Sequence, residues 1–217
     1  MRTVTFVRHG QSFANAGGVT MEHAAIPLTE LGRQQAVAVV SLLPPSPTEV
    51  LSSPFLRAVD TSRPYCAQVG LGARQLADLS ELDSIDADLL MGLTGEQRRP
   101  FGEAYWAEAD PLRRMGPRAE TFQEFTQRVE RFRTEQMPNL SEQAVVFGHG
   151  TWMAMLIWQL QGLQVRDGAD MKAFRQFHLH LPMPNAAVYR FTQEVEGGDW
   201  QGEIDARSLQ LISAEGP

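Results

Sequence analysis

The chain has 217 residues, 43% of them apolar and 21% charged, with a formal net charge of -7. That composition belongs to a globular protein with one substantial core, and the acidic balance argues against broad binding to nucleic acid or anionic membrane. The single cysteine, Cys66, excludes an intrachain disulfide and a cysteine-rich metal site. The first residues run straight into an apolar segment without a signal-peptide pattern, and no apolar stretch approaches the ~20 residues that span a bilayer. A cytoplasmic protein with no membrane partner is the expectation.

Taken in chain order, strand and helix patterns alternate. Thr3–Val7 reads as a strand. Thr29 is the predicted N-cap of a helix whose stripe is Leu31, Ala36, Val39, Val40 and Leu43, stopped by Pro44-Pro45. Glu49–Leu51 is a short strand, Pro54–Val69 a helix closed by Gly70, and Arg74–Leu79 a third strand. Residues 83–118 carry three prolines around one possible helix, Glu103–Ala109, and read as a cap inserted over one edge of the sheet. Glu120–Gln136 is a helix with Phe122, Phe125, Val129 and Phe132 on one face. Then come a buried strand, Ala144–Phe147, an apolar helix, Trp152–Leu160, and a strand, Ala186–Phe191. The last 25 or so residues could add a hairpin or edge strand. The pattern predicts a single domain over 1–217, a three-layer α/β/α sandwich around a mostly parallel sheet.

Chemistry gathers where the strands end. The first strand delivers Arg8-His9-Gly10-Gln11-Ser12, with Asn15 three residues on. Open α/β sheets place their ligands at the carboxyl ends of strands. There an imidazole can attack phosphorus while a guanidinium holds phosphoryl oxygens with its fork of donors. Ser52-Ser53-Pro54 leads into Arg57 and Thr61, and a second guanidinium beside Arg8 would saturate the non-bridging oxygens of one phosphoryl group. Gly148-His149-Gly150 ends another strand at a helix start, where backbone amides favour an anion. Glu81 follows the third strand and is the candidate general acid, a role that contributes typically 10²–10⁴-fold. Asp83, Asp86 and Asp88 compete for it.

These blocks, in this order, resemble the histidine phosphatase superfamily, in the smaller branch related to cofactor-dependent phosphoglycerate mutase. The similarity runs through Leu28-Thr29, Gly32 and Gln35-Ala36 as well, and covers about Met1 to Phe191, being low between Asp83 and Arg118. It implies that His9 is the nucleophile and that Glu81 protonates the leaving oxygen and then activates water. It also implies that Arg8, Arg57, His149, Asn15 and Gly150 form the phosphate pocket, with Gln11 and Ser12 as further contacts to substrate. No metal and no cofactor is implied, and the partner is a small phosphorylated substrate.

Three readings follow: a phosphomonoesterase working through a phosphohistidine, a phosphoglycerate mutase, and a phosphate-binding regulatory module without turnover. Glu81 is followed by Leu82-Asp83-Ser84-Ile85, which matches neither the mutase pattern nor the Trp-x-Gly segment of many phosphatase members; the poor match weighs against the mutase. Arg98-Arg99 and Arg113-Arg114 are candidate anion contacts or surface charge, and Asn185 a turn residue or part of the site edge. His178-Leu179-His180 reads as histidines of a strand or loop rather than a metal pair. Thr29 and Gln35 are assigned to capping and packing.

Overall fold

The computed structural model describes residues 1–211. Its centre is a six-stranded sheet in the order β3-β2-β4-β1-β5-β6, formed by β1 (Arg2–Arg8), β2 (Val50–Ser52), β3 (Ala73–Gln75), β4 (Ala144–Gly148), β5 (Val188–Gln193) and β6 (Gln201–Ile204). The four strands from β3 to β1 pair in parallel, and β5 and β6 add an antiparallel edge. The expected edge hairpin is thus β5–β6, while residues 212–217 of that stretch lie outside the described residues.

Alternation along β1 and β4 builds two cores. Val4, Phe6 and Val146 face α5 (Phe122–Arg131), α6 (Gly150–Leu160) and α7 (Gly168–His180), whose Phe122, Trp152 and Phe174 share that cluster with Phe132, the first residue of the π-helical turn after α5. Val7, Val145 and Phe147 face the side of α1 (Glu30–Ala38) and α2 (Leu56–Val69), with Val39, Val40 and Tyr65. Phe6 lies against Phe132, Trp152 and Phe191, with ring centroids 6.2, 5.7 and 5.3 Å away. β1 and β4, which carry the two histidines, are therefore fixed from both faces.

Several boundaries differ from the sequence reading. β3 stops at Gln75, and Ala77–Leu79 form a 3₁₀ turn instead of strand, so Glu81 comes from a loop beyond that turn. The cap helix is longer than Glu103–Ala109: α4 spans Gly95–Glu108 with Pro100 inside it, after a short α3 (Ala87–Leu90). The α2 helix likewise runs through Pro64, and Arg57 sits in its first turn. Pro100 is exposed and Pro64 half-buried, so the carbonyls that lose an N–H partner lie near solvent. His178 and His180 belong to α7. Residues two apart on a helix point apart: His180 donates outward to the Gln176 carbonyl while His178 turns inward on Phe174. The last helix, α8 (Ala206–Gln210), follows β6.

The loop after β1 is clamped by α1 and α2. The Gly10 amide donates to Thr61 Oγ1 (3.0 Å) and the Gln11 amide to Gln35 Oε1 (2.7 Å). Thr29 caps α1 as expected, accepting from the Gly32 amide at 3.0 Å. Backbone here approaches backbone: a Cβ on Gly32 would lie 2.0 Å from the Gln11 carbonyl oxygen, and one on Gly10 2.4 Å from that of Gly32. Gly32→Ala must push α1 off the loop, at a cost of about 1–3 kcal/mol. Urea unfolding should show that loss together with weakened phosphate binding; a variant with unchanged stability and binding would refute the clamp.

The segment 83–118 is stitched to residues 13–20. The Gly95 amide donates to the Gly17 carbonyl (3.0 Å) and the Thr20 amide to that of Leu93 (2.8 Å). Arg98 donates to the Ala14 and Gly18 carbonyls, each at 2.7 Å.

Candidate active site

The carboxyl ends of β1, β2 and β4 converge on a polar cleft of about 250 Å³. Its walls include Arg8, His9, Asn15, Arg57, Glu81 and Gly150. Ser12 joins them, while His149 lies directly behind, its ring centroid 5.2 Å from that of His9. Gln11 stands apart from the cleft lining, its side-chain oxygen accepting from Thr29 Oγ1 at 2.8 Å.

His9 is buried, and its two ring nitrogens have different tasks. Nδ1 lies 2.7 Å from the Gly10 carbonyl, an acceptor, so Nδ1 carries the proton. Nε2 accepts from Arg57 Nε at 3.2 Å, so Nε2 is unprotonated and its lone pair points to the guanidinium side. Burial, and then the charges of Arg57 and Arg8, hold the imidazole well below its usual pKa. His149 is held low in the same way, by burial and then Arg57. Its Nε2 is 2.7 Å from Ser53 Oγ and its Nδ1 is buried with no protein partner.

The two guanidiniums are nearly buried without a carboxylate ion pair. Arg57 gives Nη1 to the His23 carbonyl (2.9 Å), and Arg8 gives Nη1 to that of Met183 while its Nε has no partner. Burial pulls the Arg57 pKa down to about 10, although Glu81 raises it, and Arg8 is lowered for the same reason. Buried charges ordinarily have a counter-ion. Two cations facing one cleft and opposed by Glu81 leave positive charge for an anion to neutralise. A Cβ on Gly150 would lie 3.2 Å from Arg8 Nε, so glycine there lets the Arg8 side chain approach the start of α6 closely.

Glu81 caps α6. Its Oε2 accepts from the Thr151 amide, and its Oε1 from the Trp152 and Leu82 amides, all at 3.0 Å. The competing acids are committed elsewhere. Asp86 takes the Arg118 guanidinium and amide, Asp88 pairs with Arg118, and Asp83 faces His23 at 3.3 Å. Asn15 accepts on Oδ1 from the Ser12 amide and hydroxyl and from Asn185 Nδ2, which leaves its own NH₂ to donate. Asn185 also donates to the His9 carbonyl at 3.2 Å, which places it at the site edge.

Arg98 is tied to the residues 14–18 loop, Arg113 pairs with Glu108, and Arg114 with Glu124. None of these three guanidiniums is free for an anion. Sequence reasoning missed His23, Thr151, His178 and Met183 as cleft-lining residues. Only Thr151, adjoining Gly150, had a local signal; the others arrive from remote loops and from α7. Among the described residues no three His, Cys, Asp or Glu side chains form a metal-ligating group, and no helix is long and apolar enough to cross a membrane.

Comparison with known proteins places the chain in a family. The family model described as the histidine phosphatase superfamily (branch 1) matches residues 4–205. A curated relative from Salmonella typhimurium, adenosylcobalamin/alpha-ribazole phosphatase, is 31% identical over 201 residues, covering 89% of this chain and 86% of its own. Its Escherichia coli counterpart of the same name is 30% identical over 163 residues, covering 72% of this chain and 78% of its own. Among solved structures, mycobacterial glucosyl-3-phosphoglycerate phosphatase superposes with a TM-score of 0.66 at 24% identity, over 94% of this chain and 97% of that one. That likeness speaks for the fold.

Proposed function

The chain belongs to the histidine phosphatase superfamily, and from that premise we propose that it is a metal-independent phosphomonoesterase acting through a phosphohistidine on His9. The observation that carries the proposal is the fixed tautomer: Nδ1–H on the Gly10 carbonyl and an unprotonated Nε2 beside Arg57. Phosphoryl transfer asks the protein mainly for positioning and for charge around the three equatorial oxygens. Arg8 and Arg57 supply that charge, with donors from Asn15 and the Gly150 amide, since Glu81 takes those of Thr151 and Trp152.

In the first half-reaction Nε2 attacks phosphorus in line. The N–P bond forms as the ester P–O bond breaks, and Glu81 gives the leaving oxygen its proton. In the second, water loses a proton to Glu81 and attacks phosphorus. The N–P bond breaks, inorganic phosphate departs, and His9 regains its lone pair. Residues 83–118 contribute no lining residue to this cleft; Asp83, Ile85, Leu90 and Arg98 of that segment wall the cleft beside it.

The mutase reading asks for a second anion contact beside the scissile phosphate; Arg98, Arg113 and Arg114 are already engaged, and Arg99 lines an outer groove that shares no residue with the phosphate cleft. The test is phosphate release with excess chelator. The panel holds alpha-ribazole phosphate, adenosylcobalamin phosphate, glucosyl-3-phosphoglycerate and 3-phosphoglycerate. Chelator-resistant release is expected. Isomerisation of 3-phosphoglycerate without release would make the protein a mutase instead.

Two pH effects follow from the buried imidazoles. Because His9 is held well below the ordinary value, kcat/KM should not fall between pH 7 and pH 5.5 through imidazole protonation; an acid limb centred near 6.5 would contradict the assigned environment. Stability behaves differently. His9 and His149 are lowered, and His178 is lowered to about 4, mainly by burial. The unfolded chain binds protons at these groups below about pH 6.5 while the native state does not. Stability is therefore complete above that pH and declines below it, by up to about 1.4 kcal/mol per pH unit for each histidine. Urea unfolding without phosphate at pH 7.5 and 5.5 measures the slope, and equal stabilities would refute it.

A further inference from the structure

A second cleft, of about 210 Å³, adjoins the phosphate site. The two share Ala14, His23 and Ile26, so a molecule anchored by its phosphate on Arg8 and Arg57 has this space beside it. Its walls are largely apolar, with Met21, Ile26, Leu82, Ile85 and Leu90 prominent among them. Three of those residues, Leu82, Ile85 and Leu90, come from the cap segment or its edge, and Met21 and Ile26 from the loop that follows β1.

The charges in this cleft are disposed against a second anion. Asp83 is its one carboxylate, 3.3 Å from His23 Nδ1. Arg98 is its one guanidinium, and both terminal nitrogens donate to the carbonyls of Ala14 and Gly18. Turning Arg98 toward a ligand would break both bonds, leave the Gly18 carbonyl without a donor and loosen the seam between cap and loop. Among the described residues, Arg99 and Arg175 are in no ion pair with a carboxylate, and Arg175 Nη1 lies 3.3 Å from His178 Nδ1. They line an outer groove beyond Ile85 and Leu90, and that groove shares no residue with the phosphate cleft. A carboxylate or second phosphate a few bonds from the scissile ester would meet Asp83 and apolar walls.

We propose that this cleft receives the alcohol portion of the substrate, and that the preferred substrate is a phosphomonoester of an uncharged, largely apolar alcohol. The assignment rests on the phosphate group binding at His9. Each buried methylene or ring edge of such an alcohol gains transfer free energy of about 25 cal/mol per Å². A carboxylate gains nothing there and must shed water to enter.

The test uses calorimetric binding of three phosphonates to the full chain: methylphosphonate, 1-naphthylmethylphosphonate and 3-phosphonopropionate. The naphthyl ligand should bind at least tenfold more tightly than methylphosphonate, and the carboxylate ligand no more tightly. Leu90→Ala should narrow the naphthyl-to-methyl ratio several-fold, and Asp83→Asn should improve the carboxylate ligand selectively. Arg57→Ala should weaken all three. A carboxylate ligand that binds most tightly, with Arg57 dependence intact, would overturn the alcohol assignment and leave the phosphatase reading standing. Affinities unchanged in Arg57→Ala would overturn the phosphate site, and the alcohol assignment with it.

Discussion

His9→Ala is expected to lower phosphate release by about 10⁴-fold or more, because it removes the atom that bonds to phosphorus instead of a group that assists it. The ring is buried between the Gly10 carbonyl, the Arg57 guanidinium and the His149 ring. Its loss leaves a small cavity and one donor of Arg57 without an acceptor. A stability loss of about 1–3 kcal/mol follows, too little to account for the activity by unfolding. Circular dichroism and phosphate binding on the same preparation separate the two effects. A folded variant that retains a tenth of the activity would remove His9 from the nucleophile's role.

Glu81→Gln carries the second large effect. If Glu81 protonates the leaving oxygen, kcat/KM should fall about 10²–10⁴-fold for an alkyl phosphate and much less for p-nitrophenyl phosphate, whose leaving group needs no proton. The contrast is needed because Glu81 also caps α6. Both carboxylate oxygens accept amides, from Thr151 on one side and from Trp152 and Leu82 on the other. A glutamine must turn its NH₂ toward one of those donors, which costs about 1 kcal/mol. Equal losses on both esters would assign the residue to holding α6 in place.

Much of the site is legible in the sequence because it is local. Arg8-His9-Gly10, Arg57 and Gly148-His149-Gly150 each sit within a residue or two of a strand end or a helix start, and period and chain order place them at one sheet edge. Gln35 and Thr61 are equally visible as residues but not as contacts, since their bonds to the Gly10–Gln11 backbone span 24 and 51 positions. His178 is misplaced by its pattern because alternation through Leu179 mimics a strand. The stronger cue is Met171, Phe174 and Phe177, spaced by three, which puts one face of α7 on the core. Pro100 truncates the expected cap helix because a proline costs one hydrogen bond, and on an exposed face the helix tolerates the loss. Glu81 reaches the expected position by a different route, since the third strand gives way to a 3₁₀ turn after Gln75.

The covalent intermediate is the claim on which the rest depends. Rapid mixing with a ³²P-labelled phosphomonoester, quenched in alkali within the first turnover, traps what the protein carries. Label is expected on the peptide containing His9, stable to alkali, released by acid, absent from His9→Ala and lost to water at the turnover rate. Phosphate released at the full rate with no label on His9 at any quench time would contradict the account.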